Sequence, residues 1–457
     1  MPKHPDKICL TSLGCPKNLV DSEVMLGILK QDNFELIASE KDADILIVNT
    51  CGFIGDAKKE SIEAILRLAQ YKETGRCRLL IVAGCLTQRY KDELAKEMPE
   101  VDFFIGTGEY PKISDIIRNG STQRVIAGIP EYVHDYDTPR ILATPRYSAY
   151  VKIAEGCSNH CSYCTIPAIR GEFRSRPLNS VIKEIENLAS QGVKEINLIA
   201  QDSTSYGMDI DDSTGLESLL KKAVKVQGIK WVRLLYLYPS RITKGLIRLI
   251  RDEEKICKYI DMPIQHINNK ILKAMNRNLT KAQIKDTIKL IRQEMPDAAL
   301  RTSLIVGFPG ETEEEFEELL SFVKETRFDR LGVFQYSREE DTPAFKMKGQ
   351  IPENVKEFRI KKIMKAQAKV AKEKNRLLLG KIINVLVEGV SEESEFLLCG
   401  RSMQQAPDNI DGITYINKGT ASPGDIVPVL ITDAGEYDLV GEIAGYIPSV
   451  FGETAAS

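Results

Sequence analysis

Ala149-Tyr150-Val151-Lys152-Ile153-Ala154-Glu155-Gly156-Cys157-Ser158-Asn159-His160-Cys161-Ser162-Tyr163-Cys164 is the stretch that decides how the middle of this 457-residue chain folds. Residues 149–154 read as an apolar strand, and Gly156 breaks the run just before three cysteines spaced C-x3-C-x2-C. Further candidate strands at 195–200, 231–237, 258–261, 300–305 and 330–335 are separated by helical segments, clearest at 180–191, 281–294 and 313–325. Six strand–helix units predict an α/β arrangement, an incomplete (β/α)6 barrel with its site at the carboxyl ends of the strands. The cysteine loop follows the first of these strands.

Three thiolates at this spacing suit three irons of a four-iron cluster, whose usual complement is four cysteines. The remaining iron is then open to chelate the amino and carboxylate groups of S-adenosylmethionine and to pass an electron to its sulfonium. Zinc is one alternative, because a structural zinc site needs four ligands and His160 lies inside the loop, although without the paired spacing of a zinc finger. Coincidence is the other.

The N-terminal segment carries cysteines in a different pattern. Apolar runs at 7–13, 45–48 and 79–82 lead into Gly14-Cys15, Asn49-Thr50-Cys51 and Ala83-Gly84-Cys85, and helical periodicity follows at 19–30, 56–71 and 88–96. This alternation predicts an open parallel sheet whose right-handed crossovers put all three turns on one edge, where such sheets hold ligands. Cys15, Cys51 and Cys85 are therefore predicted to converge on a second cluster, although any one of them alone reads as a small buried residue. Cys9, Cys77, Cys257 and Cys399 lie in or beside apolar strands without companions and read as structural.

A chain of this length predicts two to four domains. The turn-rich stretch 120–145, with Pro130, Pro139 and Pro145, marks one boundary, and a change of pattern near Gly380 marks another. We read 1–140 as the open α/β domain, 141–376 as the barrel, and 377–446 as a small all-β barrel in the size range of nucleic-acid-binding barrels. Residues 352–379 read as one long Lys-rich helix, a solvated connector. No secretory signal and no run of 18 apolar residues is found, which predicts a cytoplasmic protein without membrane contact. Ten cysteines in such a compartment point to metal ligation rather than disulfides. The net charge of −3 predicts no general attraction to nucleic acid, and from Arg376 onward twelve acidic residues face four Lys or Arg.

Several motifs share one resemblance. Gly14-Cys15-Pro16-Lys17-Asn18 with Asp21-Ser22-Glu23, Asn49-Thr50-Cys51, Gly84-Cys85-Leu86-Thr87-Gln88-Arg89, and the Cys157 loop followed by Ile166-Pro167 and Arg170-Gly171-Glu172-Phe173-Arg174-Ser175-Arg176 resemble the radical S-adenosylmethionine methylthiotransferases. The likeness spans essentially the whole chain, and the terminal barrel resembles a TRAM domain. It implies two [4Fe-4S] clusters, one on Cys157, Cys161 and Cys164, the other on Cys15, Cys51 and Cys85. It also implies that one S-adenosylmethionine donates a methyl group to sulfur while another is reductively cleaved. The resulting 5′-deoxyadenosyl radical takes hydrogen from an unactivated C–H bond, and sulfur joins carbon at the second cluster. A low-potential electron donor and a sulfur source are implied partners.

Tyr163 stands where this family places an aromatic near the adenine. Gln201 and Asp202 after the second barrel strand, Arg301 on the fifth, and Gly307 in Gly307-Phe308-Pro309-Gly310 suit binding of S-adenosylmethionine, and Gln265 and His266 face the same mouth. Cys15-Pro16-Lys17-Asn18 and Arg174-Ser175-Arg176-Pro177 resemble the branch that methylthiolates the β-carbon of an aspartate in small ribosomal subunit protein twelve. The nearest alternative modifies an adenosine in transfer RNA. An acidic terminal barrel favours a basic protein over a phosphate backbone and makes direct nucleic acid binding doubtful. A non-catalytic ribosome-associated iron–sulfur protein is a third reading, although electron transfer normally uses four protein ligands.

Overall fold

Three short strands escape the sequence pattern and complete the N-terminal sheet. In the computed structural model, which describes residues 5–210 and 215–445, six parallel strands run Glu35–Leu36, Lys7–Ser12, Ile45–Thr50, Leu79–Gly84, Phe103–Ile105, Val125–Ile126 across the sheet. Met1 and Tyr446, the outer ends of the predicted domain spans, lie outside the described residues. Two or three residues per edge strand are too few for any alternation to register. The central strand Ile45–Thr50 is buried throughout, as a parallel strand covered on both faces must be. Leu46 and Val48 enter one apolar layer, Ile45 and Ile47 the other.

All six predicted barrel strands form, as two parallel sheets of three. One holds Ser148–Lys152, Glu195–Ile199 and Trp231–Leu234; the other holds Tyr259–Asp261, Ala299–Val306 and Arg330–Gln335. A Val232 to Ile256 bridge and a bond from Leu237 N to Asp261 O (2.8 Å) join them into an open barrel. Period-two alternation sends Val151, Leu198, Val232, Ile260, Leu300 and Leu304 outward into one core with the helices. Tyr150, Lys152, Glu195, Arg233, Asp261 and Arg301 are left on the inner side. Buried charge of this kind is tolerable only when paired.

The pairing comes partly from the C-terminal domain. Ile382–Ser391, Ser394–Ser402, Thr414–Lys418, Leu439–Ile443 and Ile426–Ala434 close into a five-stranded barrel in that order. Its Arg401 reaches the inner side of the open barrel, with Nη1 2.8 Å from Glu195 Oε1, and Arg233 approaches the same carboxylate at 3.2 Å. Tyr259 Oη donates to Asp411 (2.5 Å) and Tyr150 to Asp408. The small barrel therefore walls off the gap that the missing strands leave.

The helix Glu353–Arg376 is more than a solvated connector. Ile363, Val370 and Ala371 are buried, and the helix packs on the Glu313–Thr326 helix and the last barrel strand. Its lysines hid an apolar stripe. Among the described residues no helix is long and apolar enough to cross a membrane.

Candidate functional site

The Cys157 loop is fixed from several sides. Ala154–Glu155 pairs with Arg174–Ser175, and Cys157 N donates to Gly171 O (3.0 Å). Gly156 sits at φ +73°, where a Cβ would strike the Glu172 carbonyl, so only glycine lets the loop close there. Ser162 N donates to Met275 O (2.9 Å), and Asn276 Nδ2 donates to His160 O (2.8 Å). Polar side chains reach the sulfurs: Asn159 Nδ2 lies 3.5 Å from Cys157 Sγ and Arg277 Nη1 lies 3.8 Å from Cys161 Sγ. The ring of His160 faces solvent and Glu172 (3.6 Å), so it does not serve as the fourth ligand of a zinc site.

The other three cysteines also converge. Cys15 caps the Pro16–Gln31 helix, Cys51 follows Ile45–Thr50, and Cys85 opens the Cys85–Glu97 helix. A Cβ on Gly14 would lie 2.8 Å from Cys51 Cβ and 3.2 Å from its sulfur; glycine before Cys15 is what lets the two turns meet. Arg170 Nη2 points at Cys85 Sγ (3.6 Å) while Nη1 pairs with Asp21 (2.7 Å) and Glu155 (3.4 Å). Lys152 pairs with the same two carboxylates. This buried quartet links the wall beneath Cys85 to the strand that leads into Cys157.

Both sets fit cluster ligation by their donor chemistry. Burial pushes the Cys157, Cys164 and Cys85 thiols up and Cys51 up to about 12, so the sulfurs ionise when iron displaces their protons. Arg170 and Arg277 then lie where they can offset the charge of the bound thiolates. Among the described residues no three His, Cys, Asp or Glu side chains crowd around a single-ion position. In a four-iron cluster each thiolate binds a different iron, so no such crowding is required.

Between the triads runs the segment that follows Trp231–Leu234. Tyr236 (φ +62°) donates its N–H to Asp261 Oδ2 (2.9 Å), and its ring lies 3.0 Å beneath Lys17 Nζ. Burial lowers Lys17 to about 8, against the pull of Cys15 and Asp261. Tyr238, two residues on, is flanked by Arg241 and Arg277 at 4.7 and 4.5 Å. Tyr236 is thus on the Cys15 side and Tyr238 on the Cys161 side.

The five residues read as contacting S-adenosylmethionine are placed differently from one another. Tyr163 accepts a bond from Arg277 at its hydroxyl (3.2 Å) and packs against the cluster of Phe308, Tyr336 and Ala344. Gln201 leaves a buried Oε1 without a partner among the described residues. Asp202 is a hub that accepts from Asn159 (2.9 Å), Ser205 (3.0 Å) and Arg241 (2.6 Å), so it shapes the cysteine loop. Arg301 is held by Asp261 (2.8 Å) and Asp411 (3.4 Å) on the inner wall. Gly307 (φ +72°) is crowded by Lys356, and its N–H goes to Glu311. His266 is fully buried with Nε2 3.6 Å from Glu311, whereas Gln265 is half-buried at φ +70°. Asn159, Arg241 and Arg277 were not singled out by the sequence; they belong to no shared spacing, and only the folded loops bring them together.

Known proteins match this arrangement along the chain. Residues 7–106 match an uncharacterized protein family, UPF0004, residues 151–323 the radical SAM superfamily, and residues 379–444 the TRAM domain. The ribosomal protein uS12 methylthiotransferase RimO of Geobacter sulfurreducens is 57% identical over 446 residues, covering 97% of this chain and 100% of that protein. RimO of Geotalea uraniireducens is 56% identical over 96% of this chain and 98% of its own. Among solved structures, the radical S-adenosylmethionine methyltransferase TsrM from Kitasatospora setae shares the fold, with a TM-score of 0.55 over 74% of each chain at 16% identity. The cobalamin-dependent enzyme OxsB reaches 0.52 over 79% of this chain and 56% of its own at 13% identity. Near-full-length matches at 56–57% identity, with three domain types in series, establish that the chain belongs to the RimO family of radical S-adenosylmethionine methylthiotransferases.

Proposed function

We propose that this chain acts in the cytoplasm on small ribosomal subunit protein twelve, the substrate named for its relatives, and methylthiolates the β-carbon of an aspartate. Residues 1–140 carry one [4Fe-4S] cluster on Cys15, Cys51 and Cys85. Residues 141–376 carry the other on Cys157, Cys161 and Cys164 and bind S-adenosylmethionine, and residues 377–446 recruit the basic substrate. With two molecules of S-adenosylmethionine, a low-potential donor and a sulfur source, the bound groups supply the radical, the methyl group and the sulfur. The observation that supports this reading is that Tyr236 borders Cys15 and Tyr238, two residues on, borders Cys161, while the Arg170, Asp21, Lys152 and Glu155 quartet links the turns that carry Cys85 and Cys157.

The chain's own residues hold and shield this chemistry. Asp202 fixes Asn159, and through it the Cys157 turn. The free Gln201 Oε1 offers an acceptor to S-adenosylmethionine beside that turn, with Tyr163 and the backbone near Gly307 bordering the same mouth and Arg301 on the inner wall. The C-terminal barrel closes the gap in the open barrel and so limits the access of water. The test is mass spectrometry of purified protein twelve, and in parallel of unmodified transfer RNA, after incubation with the reconstituted chain. A methylthio adduct on the aspartate supports the reading, and product on the transfer RNA alone overturns the substrate.

A further inference from the structure

We propose that Lys17 is a substrate-positioning residue whose ammonium binds the side-chain carboxylate of the target aspartate; the proposal rests on the protein-substrate reading above. Lys17 is only 6% exposed, yet among the described residues no carboxylate or carbonyl is bonded to its ammonium. Among the described residues its close partner is the face of Tyr236. The other buried cations of this wall are all paired: Lys152 with Asp21 and Glu155, Arg170 with the same two, Arg301 with Asp261 and Asp411. Asp21, one turn along the helix from Lys17, is already held by Lys152 and Arg170. Cys15 and Asp261 attract its charge without bonding to it, so the donors of the ammonium stay open to an arriving anion.

The position is suited to that anion. Lys17 stands two residues after Cys15, in the first turn of Pro16–Gln31, and projects over Tyr236 on the path between the triads. A carboxylate docked on it therefore lies between the two sets of sulfurs. In aspartate the β-carbon is bonded directly to the side-chain carboxyl carbon, so fixing the carboxylate also fixes the hydrogens that are to be replaced. An adenine ring has no anion at the corresponding distance from its reacting carbon. Lys17 thus favours an acidic side chain over a nucleobase.

The test compares holoenzyme with its Lys17→Met and Lys17→Arg variants, each checked for iron content. Fluorescently labelled protein twelve and a form with the target aspartate replaced by asparagine are titrated against all three. The unaltered holoenzyme is expected to prefer the aspartate form by about tenfold or more, as a charge-assisted bond requires. The Met variant should bind both forms alike, with KM rising more than kcat falls, and the Arg variant should keep part of the preference. A Met variant that retains the full preference, while unaltered holoenzyme still forms product on protein twelve, overturns the role of Lys17 alone. Absence of that product from the unaltered holoenzyme overturns the substrate reading and this proposal with it.

Discussion

Arg170 lies with Nη2 3.6 Å from Cys85 Sγ, and its neighbour Gly171 receives the Cys157 amide through its carbonyl. One turn of chain therefore touches both cysteine triads. Replacing Arg170 with Met leaves Asp21 and Glu155 with one cation instead of two. The expected result is a loss of about 3–5 kcal/mol of stability and of part of the iron held by Cys15, Cys51 and Cys85. Thermal unfolding and iron analysis measure the two effects. Lys at this position restores charge but not the fork that meets sulfur and carboxylate together.

Reconstituted protein should hold about eight irons, the content of two four-iron clusters. Joint replacement of Cys157, Cys161 and Cys164 by Ala should halve this and abolish cleavage of S-adenosylmethionine. Joint replacement of Cys15, Cys51 and Cys85 should also halve the iron but leave cleavage in place, with no methylthio product. Full iron in the first variant would contradict the ligand assignment.

Acid should weaken the fold through His134 before it reaches the carboxylates. Burial, reinforced by the Arg176 guanidinium 3.0 Å away, pushes His134 down to about 4 from 6.5. Its folded form resists protonation that the unfolded chain accepts, so stability falls as pH drops from 6.5 towards 4, by about 3 kcal/mol at the end of that window. Glu195 follows: burial alone would raise it, but Arg401 and Arg233 hold it at about 2. Its contribution is present above 4.5 and is lost as pH falls towards 2. Chemical denaturation at pH 7, 6, 5 and 4 should show a flatter acid limb for His134→Gln than for the unaltered chain.

The hairpin tip between Ile382–Ser391 and Ser394–Ser402 exposes Glu392, Glu393 and Glu395 beside Phe396, which is 84% exposed. Reversing the three glutamates to Lys should slow association with protein twelve and flatten its salt dependence, because rim charges act mainly on encounter. Stopped-flow binding across a salt series measures it. Cleavage of S-adenosylmethionine in the absence of substrate should be unchanged.

The strand-to-helix turns at Cys15, Cys51 and Cys85 and all six barrel strands were legible because apolar runs ending at glycine or at polar turns leave a local pattern. Other features leave none. The edge strand Val125–Ile126 is two residues long. Glu195, Arg233 and Arg401 are residue types that usually face water, and nothing local in the sequence marks them as mutually buried. The acidic tail was read as one surface, yet Asp408, Asp411 and Asp425 contact Tyr150, Arg301 and Lys194 of the central domain. The position of Asp202 after the second barrel strand is legible in the sequence, but its role as a hub depends on Asn159 and Arg241, which arrive from separate loops.

The seat of Arg401 on Glu195 also bears on how this architecture can be recombined. A chimera that exchanges the terminal barrel for one from another protein would change more than its own outer surface. Unless the graft carried an arginine at the same register, it would strand a carboxylate in the throat of the enzyme. The terminal barrel and the interior of the open barrel are thus inherited together, and exchange of one demands coordinated substitutions on both sides of that seam.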